Sequence, residues 1–257
     1  MRLSCNAHCL RGRTLRDALA AIHEIGYEAV EMNWPLVERQ FASVPGRAEA
    51  LRAVLDEAGL SMSSMSVADM NAVDETEIRP VIAATGPQIG IAATLHLSAV
   101  ITRSGDRRQQ PIEILTAGLR ALLERADREG VAILIANARD TAIEQIEDLR
   151  QLCMEIDHPG LGLALDAGRF HDAAVNPCDV LREFAHRVRL IRISDRIGRR
   201  CVPLGQGEMN VDAIVRRARK SGYDGWLVVD PAVDSPREAL QYLADARAYL
   251  ETLLSDG

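Results

Sequence analysis

Short, mostly apolar runs recur along the chain about every 30 residues. They are RLSCNA (2–7), AVEMN (29–33), LSMSSMS (60–66), AATLHLS (92–98), VAILIAN (131–137), LGLALD (161–166), RLIRIS (189–194) and GWLVVD (225–230). Most are too short for helices and are bounded by Gly or polar residues, which predicts β-strands. Helical spacing fills the intervals. Thr14 to Ile25 opens on a Thr-x-x-Asp capping start and ends at Gly26, Arg47 to Ala58 stops at Gly59, and Ile112 to Glu129 stops at Gly130. A last helix is expected from about Ser235 to the C-terminal end. Pro80 and Pro87 are expected to break the third helical segment.

Strands that alternate with helices throughout pair in parallel, because each return to the same sheet edge needs a crossover. Eight such units predict an α/β fold of the (β/α)8 TIM-barrel type, formed by one domain over residues 1–257. LGLALD and GWLVVD are apolar on both faces, as barrel strands are when helices cover the outside and side chains fill the inside. A doubly wound open sheet is the alternative. It would normally carry a Gly-rich nucleotide loop after its first strand, where this chain has CNAHCLRGR.

Composition narrows the function classes. With 47% hydrophobic and 26% charged residues the chain is an ordinary globular sequence, and its net charge of -7 argues against sequence-independent nucleic-acid binding. The pairs Arg107-Arg108, Arg199-Arg200 and Arg216-Arg217 read as solvated surface. No apolar run approaches a membrane span, and MRLSCNAHCLRGR lacks the apolar core of a signal peptide, so a cytoplasmic protein is expected. Five scattered cysteines match no disulfide framework, and the Cys5-His8-Cys9 cluster matches no common zinc spacing.

The active site of a (β/α)8 barrel lies at the C-terminal strand ends. The polar residues that close the runs are His8, Asn33, Ser66, His96, Asn137, Asp166, Arg192, Asp195 and Asp230. Any one of them alone could be a helix cap. Arg192, inside LIRISD, is the most informative, because a guanidinium in a buried strand is costly unless paired and hydrogen-bonded.

GYEAVEMNW (26–34), LALDAGR (163–169), IRISD (191–195), PLGQGEMNVDAIV (203–215) and GYDGWLVVD (222–230) resemble, in order, signatures of the sugar phosphate isomerase/epimerase family of xylose-isomerase-like TIM barrels. The resemblance implies one divalent cation held by a Glu after strand five, an Asp after strand six, a His in strand seven and a Glu ending strand eight. The two glutamates would exchange a proton with a carbon of a sugar-like substrate. It also implies pairing of barrels into a homodimer in many members. Here the strand-five Glu position falls on Ala136, with Asn137 next to it. Asp166 keeps the strand-six ligand, and Arg169 replaces the His that follows it. Arg192 replaces the strand-seven His, and Asp230 the terminal Glu.

An arginine offers only donors and cannot replace a metal-binding imidazole, so no family-type metal and no other cofactor is expected. Arg192 is expected to face Asp166 and Asp230 across the barrel. One reading is a metal-independent isomerase, epimerase or lyase acting on a small sugar-like substrate or one bearing a carboxylate or phosphate. In it Asp230 is the general base, Arg192 the electrostatic stabiliser and His96 a proton donor, while Arg169, Asp166, Asn137, Glu31 and Asp195 bind substrate. A second reading is an inactive barrel kept for ligand binding or as a subunit of a complex. A third is an unusual site for Zn, Mn, Mg or Fe built on Asp166 and Asp230 with His96 or His171.

Overall fold

A computed structural model describes residues 1–10, 12–233 and 235–255. Eight parallel strands close into a barrel: Arg2–Asn6, Ala29–Asn33, Ser61–Ser66, Ala99–Arg103, Ala132–Ala136, Leu161–Asp166, Val188–Ile193 and Trp226–Val229. Each neighbours the next in chain order, and the eighth returns to pair with the first. Helices cover the outside, ending with Pro236–Ser255. Among the described residues, no helix is long and apolar enough to cross a membrane.

Helix ends follow the local chemistry read from the sequence. Thr14 Oγ1 accepts from the Asp17 backbone N–H to start Leu15–Ile25, and Gly26 ends it in the left-handed region at φ 100°. The third helical segment departs from expectation. Pro80 and Pro87 lie inside one continuous helix, Glu75–Thr94. Both prolines are exposed, and the carbonyls they deprive of a partner belong to Thr76 and Ala83, which are exposed too, so the helix tolerates them on its solvent face.

That helix also corrects the fourth strand. It takes up the first residues of AATLHLS, Leu95 and His96 form the turn, and the strand begins at Ala99. His96 therefore sits exposed, at φ 58°, before its strand rather than after it. The alternation in that heptapeptide came from a helix end and a turn, where buried Leu97 continues the apolar rhythm.

Side-chain alternation divides the core into two layers. Leu161, Leu163, Leu165, Ile191 and Ile193 meet the helices. Ile101, Leu134, Ala136, Ala164, Leu190 and Val228 fill the barrel, with Trp226 partly buried against them and the Arg2 guanidinium stacked 4.0 Å from its ring. Two register shifts then set the polar layer above. One skips Ser63 between the second and third strands, so that Ser64 stands opposite Glu31; the other skips Arg189, so that Asp166 stands opposite Arg192.

Candidate active site

A cavity of about 660 Å³ opens at the C-terminal ends of the strands. Glu31, Asn137, Asp166, Arg169, Arg192 and Asp230 all line it, together with Asn6, His8, Ser66, Asp69, Arg103, Ser194 and Arg196. His96 and Asp195 do not line it. Six of the eight selected side chains thus share one cavity.

Arg192 has a partner other than the one expected. Its Nε donates to Glu31 Oε2 at 3.1 Å, its Nη2 lies 3.0 Å from Oε1, and Nη2 also donates to Ser66 Oγ at 2.8 Å. Glu31, 1% exposed, further accepts from Ser64 Oγ at 2.9 Å and from Asn6 Nδ2 at 3.4 Å. This two-point pairing offsets much of the desolvation that both charges suffer. Asp166 and Asp230 act on Arg192 through their fields and not through direct bonds. Burial alone would lower the affinity of the guanidinium for its proton, but the charges of Glu31, Asp230 and Asp166 outweigh it and hold Arg192 protonated. Among the described residues no protein group accepts from its Nη1, and that nitrogen is not sealed from solvent, so it presents donors to the cavity.

The carboxylates occupy different surroundings. Burial pushes the Asp166 carboxyl above the usual range, and the charge of Asp230 adds to this against the pull of Arg192 and the Arg169 backbone N–H. Asp166 Oδ1 accepts that N–H at 3.0 Å and caps the short helix Ala167–Asp172. Asn137 holds the Asp166 backbone at both ends, accepting from its N–H at 2.8 Å and donating to its carbonyl at 3.0 Å. Asp230, half-buried, accepts from Asn6 Nδ2 at 3.0 Å. Burial likewise raises Glu31, against Arg192.

Asp195 does different work from the substrate contact expected of it. Fully buried, it accepts from the backbone N–H groups of Arg196, Gly205, Gly207 and Met209 at 2.8 to 3.2 Å. A Cβ at Gly207 would come within 2.1 Å of Asp195 Oδ1, so only glycine lets that loop close on the carboxylate. PLGQGEM is thus shaped by one anion that collects otherwise orphaned donors.

Several lining residues escaped the sequence reading. Arg103 closes the true fourth strand and forms a two-point pair with Asp69 at 3.1 and 2.8 Å; its signal was hidden by the misplaced run. Asn6 ends the first strand, and Arg196 lies in a small hairpin, Asp195–Ile197 against Arg200–Val202. Cys9, also at the cavity, is a poor nucleophile, because burial pushes its thiol up to about 12.

The donor set does not fit a family-type divalent ion. Ala136 supplies no ligand, Arg192 supplies only donors, and two carboxylates remain. His171 does not complete them, since its Nε2 lies 3.2 Å from Glu208 Oε2, and His96 is at the opposite end of the barrel. Among the described residues, no group of three or more His, Cys, Asp or Glu side chains could hold a metal ion.

Comparison with known proteins places this geometry. Inosose dehydratases of Clostridium botulinum (strain Alaska E43 / Type E3) and Lacticaseibacillus casei are 24% identical over 162 residues and 25% over 167, covering 54% and 56% of this chain and 53% and 55% of theirs. The chain spans about half the length of the curated relatives it matches. A zinc-bound IOLI protein superposes with TM-score 0.84 at 17% identity, over 100% of this chain and 99% of that one. The probable 3-DHS dehydratase AsbF of Bacillus anthracis gives 0.81 at 16%, over 98% and 99%. A family model described as xylose isomerase-like TIM barrel matches residues 19–253, and the chain belongs to that family.

Proposed function

We propose that this protein catalyses proton transfer at a carbon next to a carbonyl of a small polyol-derived substrate, as an epimerase, isomerase or dehydratase that works without a metal ion. The observation that carries this reading is Arg192, buried at the mouth and locked to Glu31, with Nη1 directed to a cavity that also holds Asp166 and Asp230. A fixed guanidinium supplies the positive charge that stabilises a developing enolate oxygen, and it needs no reorganisation as the charge forms.

Asp230 is the base in this scheme. Asn6 orients it, and the half-buried carboxylate takes the proton from carbon. Asp166, whose carboxyl is pushed up by burial, is the acid. It returns a proton to carbon in an epimerisation, or delivers it to a departing hydroxyl in a dehydration. The names of the relatives, dehydratases and epimerases among them, include both outcomes.

The test is exchange in D2O. Cyclic polyol ketones, keto sugars and keto acids are incubated with the protein after exhaustive chelation, and loss of substrate C–H signal is followed by NMR. At least one should exchange, and Asp230→Asn should slow that exchange by about 10²- to 10⁴-fold. Exchange that vanishes on chelation and returns with zinc refutes the metal-free scheme. Ligands that bind without any exchange turn the reading toward a binding barrel.

A further inference from the structure

Arg196 is the second arginine buried at the mouth, and its charge is poorly matched. It is 5% exposed and lines the cavity. Its Nε is sealed from solvent and has no hydrogen-bond partner among the described residues. Nη1 reaches the Arg199 carbonyl at a long 3.4 Å. The nearest carboxylate, Asp172, has its Oδ2 3.4 Å from the same Nη1 and its Oδ1 without any donor.

Asp172 is shared. Arg169 Nη1 lies 3.8 Å from the same Oδ2, so two guanidinium groups face one carboxylate and one positive charge is left over. Ser194, 3% exposed, adds a hydroxyl that no protein group engages among the described residues. Gly168 makes room for both. A Cβ there would stand 2.3 Å from Ser194 Oγ and 2.9 Å from Arg196 Nε.

We infer that this corner, formed by Arg169, Ser194 and Arg196, binds the carboxylate of a small hydroxy or keto acid, which makes an organic acid the substrate class. The inference rests on the reading of the cavity as a substrate site. One carboxylate neutralises the single excess charge and accepts from planar guanidinium forks and a hydroxyl. A phosphate dianion would bring two negative charges to a corner where Arg169 and Arg196 exceed Asp172 by one positive charge.

The full-length protein labelled with ¹⁵N-arginine is titrated with glycolate, with ethylene glycol as the uncharged counterpart and with inorganic phosphate. The Nε–H signals of Arg169 and Arg196, assigned through Arg169→Gln and Arg196→Lys, should move saturably with glycolate, weakly with phosphate and not with ethylene glycol. Because Arg169 is about half exposed, Arg169→Gln keeps the fold, and it should weaken glycolate about tenfold. Signals that glycolate leaves unmoved, that ethylene glycol moves equally, or that phosphate saturates at lower concentration overturn the inference. If glycolate has no effect while a neutral ketone still exchanges deuterium, the carboxylate assignment fails and proton transfer stands. If glycolate binds but no acid exchanges, the proton-transfer reading fails and the corner stands.

Discussion

Arg192 and Arg196 lie four residues apart where one strand leaves the barrel, both more than nine-tenths buried, and their charges are handled in opposite ways. Arg192 meets Glu31 through two nitrogens and Ser66 through one. Arg196 meets a carboxylate it must share, at 3.4 Å, and keeps one nitrogen without a partner. Buried polar groups are nearly always bonded, so the second arrangement calls for a reason that the first does not. A guanidinium matched by its own carboxylate through two nitrogens is held in place. One that shares a distant carboxylate is left with charge that a ligand could meet.

The largest difference should follow from removing each carboxylate. Glu31→Leu leaves Arg192 buried opposite nothing and should cost about 3–5 kcal/mol in urea unfolding, most of it recovered by adding Arg192→Met. Asp172→Leu should cost less, about 1–2 kcal/mol, because its contact with Arg196 is already long and shared with Arg169. Equal losses from the two variants would erase the distinction between fixture and ligand site.

How much of this contrast could be read in the sequence depends on distance along the chain. That Ala164 shares a face with Asp166, and Leu190 with Arg192, follows from period-two alternation, which is local, and in the barrel all four face inward. That Arg192 needs a partner was also legible. The identity of the partner was not, because Glu31 lies 161 positions away, in AVEMN, and a skipped residue at Ser63 sets its neighbours. His96 was misplaced for a different reason: the turn in AATLHLS mimics strand alternation, and two prolines on a solvent-facing helix surface argued against the helix that is there. Arg196 went unnoticed because its burial depends on a hairpin whose loop is gathered by Asp195, a many-donor arrangement no spacing announces.

Asp166 lies in the fields of Arg192 and Arg169 and caps the helix that carries Arg169. Its carboxyl is raised in the folded protein, so folding favours the neutral form. That favour is fully present below the ordinary carboxylate range and is lost as pH rises through the raised value. Asp166→Asn keeps the cap and removes the titration. The variant should therefore gain stability over the parent near neutral pH, with the gap closing toward acid, in urea titrations across pH. A gap that widens toward acid instead would mean that Arg192 outweighs burial at Asp166, and that the charge of this arginine is shared with a second carboxylate.

Arg169 should give the smallest change. It is about half exposed and stands 3.8 Å from Asp172, a separation at which solvent screening and side-chain entropy consume most of the attraction. Its backbone N–H, which accounts for its bond to Asp166, survives any side-chain replacement. Arg169→Gln should accordingly shift the unfolding free energy by no more than about 0.5 kcal/mol. A loss several times larger would show that Arg169 holds Asp172 and Arg196 in place, and the leftover positive charge would then belong to the scaffold. A near-zero change leaves that charge facing the cavity with no structural duty, which is the condition under which a bound anion gains the most from it.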